Sequence, residues 1–192
     1  MSKRLPKKAA KTPDTAARLR KVLAKRPKRE LMEALVEFAS EDRGILRRLD
    51  ARFELEAPPQ ELVATIRQAI ADATCFDERD INRNFPYDYA AYGAVKRNLG
   101  RLIGLGHLRA AMELSLELMK QGSCQVEMSD EGLMTDDIEE CLQVVIQALK
   151  KCDLPPAEVV AWCDGMAKRD RMGFIADREL GALRQQSDTA RP

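Results

Sequence analysis

The sequence is poor in the residues that most often carry catalysis or bind metals. Of its 192 residues one is histidine and one is tryptophan, and aromatic residues make up 5%. The histidine, His107, follows a glycine, and the five cysteines form no CxxC pair, so the usual close-paired zinc motifs are excluded. No second histidine exists that could activate a cysteine nucleophile. The sequence therefore predicts a non-enzymatic protein with no catalytic residue, no metal and no cofactor.

The sequence also lacks glycine-rich phosphate-binding motifs and apolar segments long enough to span a membrane. Gly100, Gly104 and Gly106 do not form a GxGxxG loop, and there is no GxxxxGK[ST] motif. No window approaches the roughly 20 apolar residues of a membrane span, so we expect no membrane insertion. The cysteines are odd in number and widely spaced, which is typical of reduced thiols in a cytoplasmic protein. They are Cys75, Cys124, Cys141, Cys152 and Cys163.

The formal net charge of +1 hides a basic N-terminus. Residues 1–29 contain twelve Lys/Arg and one acid, a net charge of +11, so the rest of the chain carries −10. Residues 1–13 show no apolar periodicity and are predicted to be a disordered basic arm. Such an arm is suited to non-specific binding of nucleic acid or another polyanion. The alternative is a solubilising tail. The candidate polyanion-binding residues are Lys3, Arg4, Lys7, Lys8 and Lys11.

Apolar residues at i, i+3 and i+4 spacing recur along the rest of the chain, and no segment alternates with period two. This pattern predicts an all-α protein of about eight helices, arranged as antiparallel hairpins in a repeat-like array. We expect one helical domain over residues 14–184 and a frayed tail over residues 185–192. Segments 57–65 and 154–162 look alike. The simplest interpretation is that both are proline-led helix starts, although duplicated units are an alternative.

The longest irregular stretch, residues 74–88, leads into a run rich in aromatic residues. Long loops inside compact helical proteins are often functional, and aromatic and arginine side chains anchor many protein interfaces. The candidate partner-binding residues are Phe76, Arg79, Arg83, Phe85, Tyr87 and Tyr89. The alternative is a small satellite core that holds the loop against the neighbouring helical hairpin.

An acidic segment, residues 121–137, is predicted to be a second loop. An EF-hand with Gly132 at its sixth position would need glutamate where Ile138 stands, so a calcium loop is excluded. We expect the acids to favour a helix N-terminus, with Ser129, Asp130 or Thr135 as the capping residue.

A glycine-turn hairpin carries a family resemblance. Its pattern is Leu99-x-x-Leu102-x-x-Leu105-Gly106-x-x-x-Ala110-x-x-x-Leu114, and it resembles a tetratricopeptide-like hairpin. Three surrounding features resemble the helical region that accompanies SWIM-type zinc fingers in uncharacterised bacterial proteins. These features are the Leu31-x-x-x-Leu35-x-x-x-Ala39 run, the Tyr87-Asp88-Tyr89 entry into the hairpin, and the Ser129-Asp130-Glu131-Gly132 segment followed by a proline-led helix with Trp162.

The resemblance covers residues 16–183 but lacks the zinc finger itself, because the chain has no CxC pair and no Cys-x-His. It implies a helical, repeat-like fold with a binding role. The leading hypothesis is therefore an interaction or scaffold module that binds a protein partner through the aromatic stretch. The alternative hypothesis is polyanion binding through the basic arm.

Overall fold

The computed structural model describes residues 13–53 and 57–189. Over these residues the chain forms nine α-helices, one short 3₁₀ turn and no strand, which confirms the all-α prediction. The chain divides into two compact units, residues 1–49 (the N-terminal unit) and residues 50–192 (the C-terminal unit). The expected domain of residues 14–184 includes parts of both units.

The N-terminal unit contains two whole helices and most of a third. They are α1 (Pro13–Leu23), α2 (Lys28–Glu41) and α3 (Arg43–Phe53), and the boundary between the units falls within α3. Pro27 occupies the N-cap position of α2, where its missing N–H costs nothing. Ion pairs at i, i+4 spacing join Arg26 to Glu30 and Arg29 to Glu33. None of residues 15–49 is buried.

Six helices build the C-terminal unit: α4 (Pro59–Ala73), α5 (Tyr89–Gly104), α6 (Leu108–Met128), α7 (Thr135–Leu149), α8 (Pro156–Arg169) and α9 (Asp177–Thr189). The longest, α6, packs against α4, α5, α7 and α8. Helix α5 also packs against α4 and α7, and α9 packs against α7 and α8. The core thus surrounds one central helix.

Local sequence signals set several helix boundaries. Pro59 and Pro156 each stand in the first turn of a helix, as the proline-led starts predicted. Helix α5 ends in a Schellman motif: Gly106 has φ +83°, its N–H donates to the carbonyl of Ile103, and the His107 N–H donates to Leu102. This turn closes the α5–α6 hairpin.

Close packing in the core depends on one glycine and one tryptophan. A methyl group added to Gly122 of α6 would lie 2.8 Å from Cδ1 of the buried Ile138, so α6 and α7 need a residue without a side chain there. The Trp162 indole N–H of α8 donates to the carbonyl oxygen of Met112 at 3.1 Å and lies 3.3 Å from the Ser115 hydroxyl. These bonds fix α8 against α6.

The predicted acidic loop was wrong over its first half. Residues 121–128 continue α6 to Met128 and residues 135–137 begin α7, so the loop contains only residues 129–134. Gln125 and Val126 of this segment are buried, and their packing outweighs the loop character of the neighbouring glycine and serine. The N-cap of α7 is Met134, with no side-chain capping bond, so the expected caps were wrong as well.

At the two chain ends the sequence predicted a frayed tail and a disordered arm. Of the residues expected in the frayed tail, 185–189 are the last residues of α9, and Ser187 is buried with its hydroxyl donating to the Leu183 carbonyl. The expected disordered arm lies outside the described residues, except for Pro13, which begins α1.

Candidate functional site

The aromatic loop, residues 74–88, is held down at several points. Asp77 caps the 3₁₀ turn over Glu78–Asp80 by accepting the Arg79 N–H. Asn82 has φ +61°, a conformation that asparagine tolerates better than most residues, and its N–H donates to the Met128 carbonyl. An isolated β-bridge joins Arg83 to Ser129. The loop therefore runs along the end of α6.

Three aromatic side chains of the loop lie against the core. Phe85 is 5% exposed and stacks on the half-buried Phe76, with ring centroids 5.3 Å apart. The Tyr87 ring meets the Tyr92 ring edge-on at 6.0 Å. Its hydroxyl donates to the Asp137 carboxylate at 2.7 Å. Burial, together with that hydrogen bond, raises the pKa of Tyr87 to about 12.

Only half of the predicted partner-binding residues are freely accessible. Tyr89 is 73% exposed, and Arg79 and Arg83 are exposed as well. Phe85 belongs to the main hydrophobic core of the C-terminal unit, and Phe76 and Tyr87 pack against that core, so the three rings do not form a separate satellite core. A partner that binds at this loop would meet the two arginines and Tyr89.

Beneath the loop lies a buried polar pair that the sequence analysis missed. The Tyr92 hydroxyl and the Gln125 side-chain oxygen are 2.6 Å apart. The Gln125 amide donates to the Ala73 carbonyl at 2.9 Å, so its polar atoms are satisfied although the side chain is fully buried. Burial raises the pKa of Tyr92. The sequence analysis interpreted the segment around Gln125 as a loop, so nothing indicated that this glutamine is buried and bonded to Tyr92.

The two buried thiols, Cys141 and Cys163, are unsuited to act as nucleophiles. Burial raises the pKa of Cys141 to about 12 and that of Cys163 to about 11. These thiols stay protonated at neutral pH, and a protonated thiol is a weak nucleophile. All five cysteines are free.

Metal and membrane sites are also missing from the described part of the chain. Residues 13–53 and 57–189 contain no group of three His, Cys, Asp or Glu side chains that could hold a metal ion. Within the same residues, no helix is long and apolar enough to cross a bilayer. The candidate polyanion-binding residues of the arm lie outside the described residues, namely Lys3, Arg4, Lys7, Lys8 and Lys11.

The N-terminal unit presents the largest concentration of exposed apolar side chains. Among the residues whose side chains the structure describes, eight of the fourteen exposed large apolar side chains belong to this unit. Their exposure runs from 40% at Leu23 to 69% at Val36. We call this set the N-terminal apolar surface: Leu19, Val22, Leu23, Met32, Leu35, Val36, Phe38 and Leu46.

Charge along the same helices alternates in sign. Helix α1 carries three cations and one acid, α2 carries two cations and four acids, and α3 carries four arginines and one acid. The net charges are +2, −2 and +3. An acidic amphipathic helix therefore lies in sequence between two basic ones.

Comparisons with known proteins give no family assignment. No protein-family model matches the chain, and searches of curated proteins and of solved structures found no match either.

Proposed function

We propose that this protein is a non-enzymatic scaffold that assembles through protein–protein contact, and that a second copy of the chain covers its N-terminal apolar surface. The observation that carries the proposal is the set of eight exposed apolar side chains in a unit in which none of residues 15–49 is buried. Exposed apolar side chains in this number are typical of an interaction site.

The exposed side chains are apolar enough to fit an interface between two proteins. The eight residues are between 40% and 69% exposed, and the fully buried centre of an interface is more apolar than the rest of a protein surface. We therefore propose that they form the centre of one interface.

The charge pattern favours a second copy as the partner. In a two-fold symmetric pair, α2 of one copy can lie against α1 of the other, and the same contact recurs on the opposite side. This arrangement brings a helix of charge −2 against a helix of charge +2 twice. Complementary charges around an apolar centre promote association and specify register.

Sedimentation equilibrium on the intact chain tests self-association. We expect a reversible dimer that weakens as salt rises, because the charged contacts are screened. The double variant Leu35→Asp/Val36→Asp should weaken the dimer at least about tenfold, which corresponds to about 1.4 kcal/mol. The matched control is Leu105→Asp, which changes a leucine of similar exposure in the C-terminal unit and should leave the dimer intact. A chain that stays monomeric at all concentrations contradicts the proposal.

A charge-exchange experiment tests the pairing of helices. One variant reverses acids of α2 (Glu37→Lys/Glu41→Lys), and the other reverses cations of α1 (Arg20→Glu/Lys21→Glu). Each variant alone should lose self-association, whereas a mixture of the two should form heterodimers. If the mixture stays monomeric, the α1–α2 pairing is wrong.

A second candidate function rests on charge. The N-terminal unit has 15 Lys/Arg against 6 Asp/Glu, a net charge of +9, and we propose as the alternative that it binds nucleic acid non-specifically. Deletion of residues 2–12 should reduce binding to labelled RNA and DNA and flatten its dependence on salt. Unchanged binding by the shortened chain contradicts a role for the arm.

The kinship with the helical region beside SWIM-type zinc fingers also stays a proposal. It is supported by the sequence pattern, by the glycine turn between α5 and α6, and by the two proline-led helix starts. Such kinship is compatible with a scaffold, because it implies helical repeats without a catalytic module.

A further inference from the structure

A basic cleft opens on the C-terminal unit, where the segment after α4 meets α6 and the end of α8. Its volume is about 730 Å³, within the range of about 300–1,000 Å³ typical of small-molecule sites. We define the basic cleft by the side chains that the argument uses: Phe76, Lys120, Lys168, Arg169 and Arg171.

The charge of the cleft differs from that of the unit around it. The C-terminal unit has 17 Lys/Arg against 25 Asp/Glu, a net charge of −8. Four cations nevertheless line the cleft, and no acidic side chain does so among the described residues. Glu127 pairs with one of these cations, Arg171, and the excess of the other three in an acidic unit favours the binding of an anion.

The two lysines are available to a ligand. Neither the Lys120 nor the Lys168 ammonium group has a hydrogen-bond or ion-pair partner in the part of the chain that the structure describes. Both side chains are exposed. An anion in the cleft would therefore not have to displace an internal salt bridge from either lysine.

The two arginines are held in place by the protein. Arg169 donates one N–H to the Gly165 carbonyl at 3.0 Å. Arg171 forms an ion pair with Glu127 at 2.7 Å and lies 3.5 Å from the Cys124 sulfur. A guanidinium group has five N–H donors, so each arginine retains donors for a ligand. Arginine donors match the geometry of phosphate oxygens well.

An aromatic wall completes the cleft. The half-buried Phe76 ring lines it and is fixed from behind by stacking on the buried Phe85. A rigid aromatic side chain beside cations favours a ligand that has both an anionic part and a flat apolar part.

We infer that the basic cleft binds a phosphorylated small molecule with a planar ring, of the nucleoside phosphate class. The cations contact the phosphate groups, and the ring packs against Phe76. This inference is independent of the N-terminal apolar surface, because its residues all belong to the C-terminal unit.

Isothermal titration of the intact chain with ATP, AMP and inorganic pyrophosphate tests the inference. ATP should bind at least about tenfold more tightly than pyrophosphate, since stacking adds to the phosphate contacts. Lys120→Gln/Lys168→Gln should weaken ATP binding about tenfold or more. The matched control is Lys150→Gln/Lys151→Gln, a lysine pair after α7 outside the cleft, and it should bind ATP as the natural chain does.

Two further variants separate the parts of the site. Phe76→Leu should weaken ATP binding but leave pyrophosphate binding unchanged. A chain without residues 2–12 should bind ATP normally, because every side chain that defines the cleft belongs to the C-terminal unit. Absence of ATP binding overturns the inference, and so does equal weakening by the two lysine pairs. Equal affinity for pyrophosphate and ATP overturns the role of the ring.

Discussion

The two units use similar helical patterns with different outcomes. In the C-terminal unit the apolar faces of α4 to α8 are buried against one another, and Leu62, Leu99 and Leu142 are at most 1% exposed. In the N-terminal unit the same i, i+3, i+4 spacing leaves Leu35, Val36 and Phe38 of α2 exposed. The difference shows that the spacing of apolar residues specifies which face of a helix is apolar. It does not specify which other helix packs on that face.

The units also differ in charge, +9 against −8. The small basic unit has exposed apolar side chains, and the larger acidic unit has a continuous core. Under the proposed function, association depends on the first unit. Substitutions can test this difference between the units. We expect those in the C-terminal unit to change folding stability and those in the N-terminal unit to change self-association.

The largest effect on stability should come from the centre of α6. Leu118 is fully buried there, so Leu118→Ala should lower the free energy of unfolding by about 2–5 kcal/mol. Leu35→Ala of α2 should change it by less than about 0.5 kcal/mol at low protein concentration, since that side chain is 45% exposed. Urea unfolding followed by circular dichroism measures both. Similar losses for the two variants contradict the distinction between the units.

The contact between α6 and α7 gives the next largest effect. Gly122→Ala should destabilise the protein by about 1–3 kcal/mol, because the added methyl group would overlap the buried Ile138 side chain. Gly181→Ala is the control, since nothing lies within 4 Å of a methyl group at that helical position. This control should be neutral or slightly stabilising. Thermal unfolding of both variants provides the measurement.

Tyr87 should link stability to alkaline pH. Its folded-state pKa of about 12 exceeds the ordinary value of 10.0, so its stabilising contribution is complete below pH 10 and is lost as pH rises towards 12. Tyr87→Phe should lower the free energy of unfolding by about 1 kcal/mol near neutral pH. It should also make the loss of stability between pH 10 and pH 12 less steep. An unchanged alkaline slope would show that Tyr87 does not contribute.

The smallest effect is expected at Tyr89, the first residue of α5, which directly follows the aromatic loop. Tyr89→Ser should change stability by less than about 0.5 kcal/mol, because Tyr89 is 73% exposed. Phe85→Ser, by contrast, removes a ring that is 5% exposed and should unfold part of the loop. Tyr89 and not Phe85 is therefore the residue with which to test partner capture at this loop, with circular dichroism as the control for folding.

Much of the fold was predictable from the sequence because its signals are local. Apolar spacing predicted the helices, and Pro58, Pro155 and Gly106 marked boundaries through fixed or unusual backbone angles. The end of α6 was not predictable in this way, because Gln125 is held there by hydrogen bonds to Tyr92 and Ala73 of other segments. Such bonds join residues that are far apart in sequence.

The candidate sites were predictable only in part. The sequence indicated a stretch rich in aromatic residues but not which rings are buried, because the burial of Phe85 and the exposure of Tyr89 depend on neighbours from other segments of the chain. The basic cleft was missed altogether. Lys120 and Lys168 lie 48 residues apart in the chain, and only the packing of α6 against α8 brings their elements together.

The single tryptophan has a consequence for spectroscopy. Trp162 is buried between α8 and α6, and all three tyrosines also belong to the C-terminal unit, so the first 49 residues contain neither chromophore. Intrinsic fluorescence excited at the indole band therefore reports on the C-terminal unit alone. Far-ultraviolet signals include every helix. Thermal unfolding can therefore be followed both by Trp162 fluorescence and by far-ultraviolet circular dichroism. A difference between the two midpoint temperatures would show that the N-terminal helices unfold separately from the C-terminal unit.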